Sequence, residues 1–197
     1  MGFVTEIELK AHVADAGECG KKLSAIAGEG TAFFKDDTYW LVPPSSPAGP
    51  SGLRVRHETT GETSRTWITW KNKKIQDQIE VNEEHEFEVS DGGGFEELLV
   101  FLGLKKRIYK QKRGRRWRYQ GITAELCEVS GGQSPEASPG SKNLGWFLEL
   151  EILHEPRSEA PRDTALAREE LIALLEKAGI KKEHIESRYY SELLGTA

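Results

Sequence analysis

A chain of 197 residues with 37% apolar and 30% charged positions can bury one sizeable core, which excludes wholesale disorder. Its net charge of −5 argues against a globally basic nucleic-acid binder. No apolar run approaches the roughly 20 residues a membrane helix needs. Residues 1–10 carry Glu6 and Glu8 and show no signal-peptide core, so Cys19 and Cys127 are expected as reduced thiols in a cytoplasm.

The first segment, Val4 to Val13, alternates strictly. Glu6, Glu8 and Lys10 fall on one face and Ile7, Leu9 and Ala11 on the other, the pattern of a strand. A helix is predicted from Asp15 to Ala27, ended by Gly28 and Gly30. A second alternating run starts near Asp36 and breaks into a Pro/Ser/Gly loop at residues 43–52. Arg54 and Arg56 share a face of the next strand, as do Trp67, Thr69 and Lys71 of the one after. Ile79 to Val89 puts Glu84, Glu86 and Glu88 on one face, opposite His85, Phe87 and Val89. A short helix, Phe95 to Leu102, follows Gly92, Gly93 and Gly94. Lys105 to Tyr119 is basic and aromatic, with a hairpin turn expected around Gly114. Ile122 to Val129 reads as a strand with Glu125 and Cys127 on one face. A second loop is expected over residues 131–142, then a strand from Trp146 to Leu153 with Glu149 and Glu151 together. Thr164 to Ala178 is the clearest helix. Leu171, Leu174 and Leu175 form its apolar stripe, Asp163 or Thr164 caps it, and Gly179 stops it. Both loops read as insertions between strands, so residues 1–197 are expected to form a single domain.

Dense charge of both signs on one face of most strands, with strongly apolar opposite faces, suits an α+β fold. That fold is an antiparallel eight-stranded β-barrel with a charged lumen and about three helices packed outside. Burying such a lumen is costly unless a ligand compensates it, and a polyanion with divalent cations would do so.

Glu6-Ile7-Glu8-Leu9-Lys10 is an ExExK motif, and later elements follow it in a telling order. These are Leu53 to Arg56, the strand ending at Lys71, the acidic strand with Glu84 and Glu86, Lys110-Gln111-Lys112, Phe147 to Glu151, and Ser187 to Leu194. The ordered set resembles CYTH-domain proteins, the triphosphate tunnel metalloenzymes, across nearly the whole chain. Its style, including Asn82 to Phe87, is similar to the CyaB-like branch labelled class IV adenylyl cyclase, and the superfamily also includes thiamine and inorganic triphosphatases.

The resemblance implies Mg²⁺ or Mn²⁺ held by Glu6, Glu8, Glu149 and Glu151. It implies triphosphate held by Lys10, Arg54, Arg56, Lys71, Lys110 and Lys112, with Glu84 and Glu86 balancing that charge. Lys112 stands where arginine is usual, and Cys127 where the family carries an aspartate. Glu125, two residues earlier on the same face, is expected to supply the missing carboxylate. Glu6, Glu8, Lys10 and Glu125 are thus the catalytic candidates. Arg115, Arg116 and Arg118 receive no role in the lumen and leave a nucleic-acid contact as a lesser reading.

The expected substrate is a triphosphate-bearing small molecule: ATP, thiamine triphosphate or inorganic triphosphate. Hydrolysis is preferred, with cyclisation of ATP as the alternative and a non-catalytic nucleotide, polyphosphate or RNA-end binding module as a reading from another class. No membrane partner is expected, and a homodimer is left open.

Overall fold

The computed structural model describes residues 4–41, 53–76, 79–133, 141–154 and 164–195, with the side chains of residues 4, 71–74 and 76 outside that description. Eight strands close into one barrel: β1 (Val4–Val13), β2 (Thr31–Leu41), β3 (Leu53–Thr60), β4 (Thr63–Gln76), β5 (Ile79–Val89), β6 (Lys105–Tyr119), β7 (Ile122–Gly132) and β8 (Lys142–His154). Their order around the barrel is β1-β5-β4-β3-β2-β6-β7-β8, and every neighbouring pair is antiparallel. β1 closes the seam with β8, placing Lys10 opposite Glu149 and Glu8 opposite Glu151.

The alternation is inverted relative to a soluble barrel with an apolar interior. Apolar residues of β1 and β8 (Ile7, Leu9, Leu148, Leu150, Ile152) point outward and are buried beneath helices. α1 (Ala16–Ala27) contributes Leu23, and α3 (Thr164–Lys177) contributes Leu171, Leu174 and Leu175. Truncating one such leucine to alanine costs about 2–5 kcal/mol, so the helical cladding is what lets the apolar outer face exist in water. Asp15 caps α1 by accepting from Glu18 N–H at 2.9 Å, and Gly28 ends it at φ 79°. Trp117, on the outer face of β6, donates from its indole to the Gly28 carbonyl at 3.1 Å and fixes α1 to the wall.

α2 (Gly92–Phe101) begins three residues earlier than the sequence pattern predicts, because Asp91 caps it and takes the three glycines into its first turn. No turn occurs at Gly114. β6 runs through it, since a Cβ there would lie 2.0 Å from the Leu126 carbonyl oxygen and glycine alone permits β7 to approach so closely. The hairpin turn is Gln120-Gly121, both with positive φ. A short 3₁₀ turn (Lys182–His184) and a fourth helix, α4 (Tyr190–Leu193), end the described chain, one helix more than the sequence suggested. The loop expected at 43–52 lies outside the described residues. In the one expected at 131–142, Gly131 and Gly132 belong to β7 and Lys142 to β8. No helix among the described residues is long and apolar enough to cross a membrane.

Candidate functional site

The charged faces converge inside the barrel. Lys10 on β1 donates to Glu80 on β5 at 2.7 Å, both buried. On β2, Asp37 is fully buried and takes a two-pronged contact from Arg56, Nε at 2.6 Å and Nη2 at 2.9 Å, with the Lys110 ammonium 3.2 Å away. Lys110 also donates to the Tyr39 hydroxyl at 3.0 Å. Arg54 donates to Thr69 at 2.9 Å and lies 3.4 Å from Glu86, yet its Nε is buried without a partner among the described residues. Lys112 donates to Glu149 Oε2, while the Tyr190 hydroxyl donates to Oε1 of the same carboxylate. Lys35 reaches both oxygens of Glu125 at 2.7 Å. Arg116 bridges Glu125 and Glu58, each at 2.7 Å.

Charge sets the protonation of these groups. Burial opposes ionisation of Glu125, but Lys35, Lys112 and Arg116 outweigh it and hold the carboxyl well below the usual range. The pair is asymmetric. Burial pulls the Lys35 ammonium down, and its one carboxylate partner does not offset that burial together with Arg56, Lys112 and Arg116. Glu149 is likewise buried, and Lys112 brings it to about 2. Glu151 goes the other way, to about 8, because burial and then Glu6, Glu125 and Glu8 crowd it with like charge. Burial and Glu149 push Tyr190 well above the normal phenol range, so it remains a hydrogen-bond donor.

Ten of the sequence-derived site residues, Glu6, Glu8, Lys10, Arg54, Arg56, Lys110, Lys112, Glu125, Glu149 and Glu151, sit on the lumenal faces. Glu84 and Glu86 share the face of β5 that carries Glu80, and Glu86 is 39% exposed at the rim. Lys71 stands opposite Glu84 in register, but its side chain is outside the described residues. Arg116 corrects the sequence reading. It points inward, because Lys110, Lys112, Gly114 and Arg116 share one face of an unbroken strand. Arg115 does face outward, donating to the Gly30 carbonyl.

Lys35, Asp37, Glu58, Glu80, Asn82 and Tyr190 were not singled out from sequence. Parity alone could have found Glu80 and Asn82, four and two positions before Glu84 on the same face. Cys127 is fully buried among Phe33, Val129, Phe147 and Leu193, and burial, then Glu149, push its thiol above the normal range. It is a packing residue in an apolar layer within the lumen.

The donor set suits a hard divalent cation. Glu6, Glu8 and Glu151 crowd one another with oxygen ligands and excess negative charge. Among the described residues, no three carboxylate, imidazole or thiol groups already converge on one coordination point. Glu6 accepts from Asn82 Nδ2 at 2.9 Å, and Glu149 is held by Lys112 and Tyr190.

A closed antiparallel barrel whose lumenal faces carry charges of both signs is consistent with the fold of a known family. The model for the CYTH domain matches residues 5–190, and the chain belongs to that family. It is 26% identical over 195 residues to a Methanocaldococcus jannaschii protein named Putative adenylate cyclase MJ0240, covering 96% of this chain and 98% of that one. The solved structure of protein PH1819 from Pyrococcus horikoshii superposes with a TM-score of 0.74 at 26% identity, over 96% and 97% of the two chains. A Hippeastrum protein described as a putative adenylyl cyclase with a dominant triphosphatase activity shares the fold, with a TM-score of 0.57 at 16% identity over 98% and 94%.

Proposed function

We propose that the chain is a divalent-metal-dependent enzyme that binds a triphosphate in the barrel lumen and hydrolyses it. One observation carries the reading: a row of buried cations on β2, β3 and β6 faces a crowded carboxylate cluster on β1 and β8. Without substrate, the lysines and arginines are neutralised by protein carboxylates: Lys10 by Glu80, Arg56 by Asp37, Lys112 by Glu149. A metal–triphosphate complex carries both signs, so it can exchange with those pairs instead of adding a bare charge. The unpartnered Nε of buried Arg54 is a donor awaiting such an anion.

In this reading Arg54 and Arg56 grip phosphate oxygens with planar donors, and Lys10, Lys71, Lys110 and Lys112 contribute ammonium charge. Glu84 and Glu86 keep the arginines oriented. Glu6, Glu8, Glu149 and Glu151 hold Mg²⁺ or Mn²⁺, which supplies Lewis-acid polarisation of the phosphoryl oxygens. Glu125 keeps a carboxylate on the face of Cys127, and its use depends on release from Lys35 and Arg116. Catalysis then rests on alignment and charge stabilisation around an in-line displacement, with water adding to the terminal phosphorus and diphosphate leaving.

Cyclisation of ATP is the second reading, favoured by the name of the Methanocaldococcus jannaschii relative. Cys127 weighs against it, since a buried thiol cannot give the 3′-hydroxyl the metal carboxylate the family has there. Product analysis decides. The protein is incubated with ATP, thiamine triphosphate and inorganic triphosphate, each with Mg²⁺ or Mn²⁺, beside a Glu6→Gln/Glu8→Gln control. Phosphate release lost in the control supports hydrolysis. Cyclic AMP with pyrophosphate supports cyclisation. No turnover, with triphosphate binding undiminished in EDTA, refutes both in favour of a binding module.

A further inference from the structure

We infer that the side-chain carbonyl oxygen of Asn82 belongs to the coordination sphere of the lumenal divalent cation, beside Glu6. The inference rests on the metal reading above and adds a residue to it. Asn82 lies in β5, is fully buried, and stands directly opposite Glu6 of β1 in register. Its Nδ2 donates to Glu6 Oε2 at 2.9 Å and reaches Glu80 Oε2 at 3.5 Å.

These two carboxylates fix the amide. Turning it over would set its oxygen against acceptors and leave both without that donor. Oδ1 is therefore directed away from them, and it is buried with no hydrogen-bond partner among the described residues. Leaving an amide oxygen in that state carries a desolvation penalty that an apolar side chain of similar size would avoid. Lys10, an ammonium of this region, is already committed to Glu80 at 2.7 Å.

What remains is a neutral, hard oxygen on the side chain that also holds Glu6, one of the carboxylates that crowd Glu151. Divalent cations of the Mg²⁺ class take amide carbonyls together with carboxylates. A neutral ligand at position 82 adds coordination without adding to the repulsion among Glu6, Glu8 and Glu151. Asn82 also orients Glu6 through Nδ2, so one side chain would act on the cation twice, once directly and once through its neighbour.

The test is Mn²⁺ titration of the whole protein without triphosphate, followed by the electron paramagnetic resonance signal of free Mn²⁺. Variants are Asn82→Leu, Asn82→Asp and Glu6→Gln/Glu8→Gln, with Asn82→Ala replacing the leucine variant if that one fails to fold. Loss of the oxygen is expected to weaken Mn²⁺ binding about 10–100-fold, and Asn82→Asp, which restores an oxygen, is expected to bind within about 3-fold of the parent. Parent-like binding by Asn82→Leu, with binding lost in Glu6→Gln/Glu8→Gln, overturns the role of Asn82 alone. Binding by Asn82→Asp as weak as by Asn82→Leu also overturns it, leaving only orientation of Glu6. Mn²⁺ binding that the Glu6→Gln/Glu8→Gln change leaves intact overturns the metal reading itself.

Discussion

Lys35 and Glu125 form a buried ion pair that can be dissected by a double-mutant cycle. Their side chains are 6% and 8% exposed, and the ammonium contacts both carboxylate oxygens at 2.7 Å. Changing Glu125→Leu leaves the Lys35 amine in a dry wall, close to Arg56, Lys112 and Arg116 and without its anion. Breaking such a pair from one side costs about 3–5 kcal/mol. For a chain of this size each kcal/mol shifts Tm by roughly 2–4 °C, so the single variant should melt roughly 6–20 °C lower. Lys35→Met should cost less, because Arg116 still answers Glu125. The double variant removes both charges and keeps apolar volume, so it should be more stable than Glu125→Leu alone. Urea unfolding followed by tryptophan fluorescence reads this as a shift in midpoint at constant slope. Additive single effects, or a loss for Glu125→Leu below about 1 kcal/mol as for an exposed pair, would refute the picture of a buried, coupled lumen.

Three other predictions concern other residues of the fold. Glu186 is lowered to about 2, first by its hydrogen bond from Arg188, against partial burial, then by the Arg188 N–H and His12. A depressed carboxyl contributes stability above its unfolded pKa of about 4.3 and loses it as pH falls toward 2. The stability difference between the parent and Glu186→Gln should therefore be constant above pH 5 and gone near pH 2, as read by urea midpoints. Burial raises Cys19 to about 11, countered slightly by Lys22, and drives Cys127 higher still, so a thiol reagent at pH 8 should label neither in the native protein and both after denaturation. Gly114→Ala should destabilise by at least about 2 kcal/mol through the clash with Leu126. Gly132→Ala, whose Cβ meets nothing within 4 Å among the described residues, should stay within about 1 kcal/mol of the parent in the same chemical denaturation assay.

The strands were legible because a polar lumen and a helix-clad exterior both impose a two-residue period, so Glu6, Glu8 and Lys10 separate cleanly from Ile7, Leu9 and Ala11. β2 was harder. Asp36 and Asp37 are adjacent, which hides which of them faces inward, and only Asp37 meets Arg56 and Lys110. Arg116 was missed for a different reason. Glycine usually marks a turn, whereas Gly114 marks a close approach of two backbones within a continuous strand, and the face of every residue beyond it depends on that distinction. Tyr190 carries no periodic signal at all. Its contact with Glu149 spans 41 positions and arises from where the chain returns after α3.

The seam between β1 and β8 also governs how the molecule comes into being. Lys10 pairs in register with Glu149, 139 positions later (149 − 10), so the contact order of the barrel is high and closure is expected to be slow. A nascent chain that has emerged only as far as β7 has an unpaired β1 edge next to a row of ionised side chains waiting for partners. Translation rate and chaperone capacity, more than the final stability, should then determine how much of this protein a cell recovers in folded form.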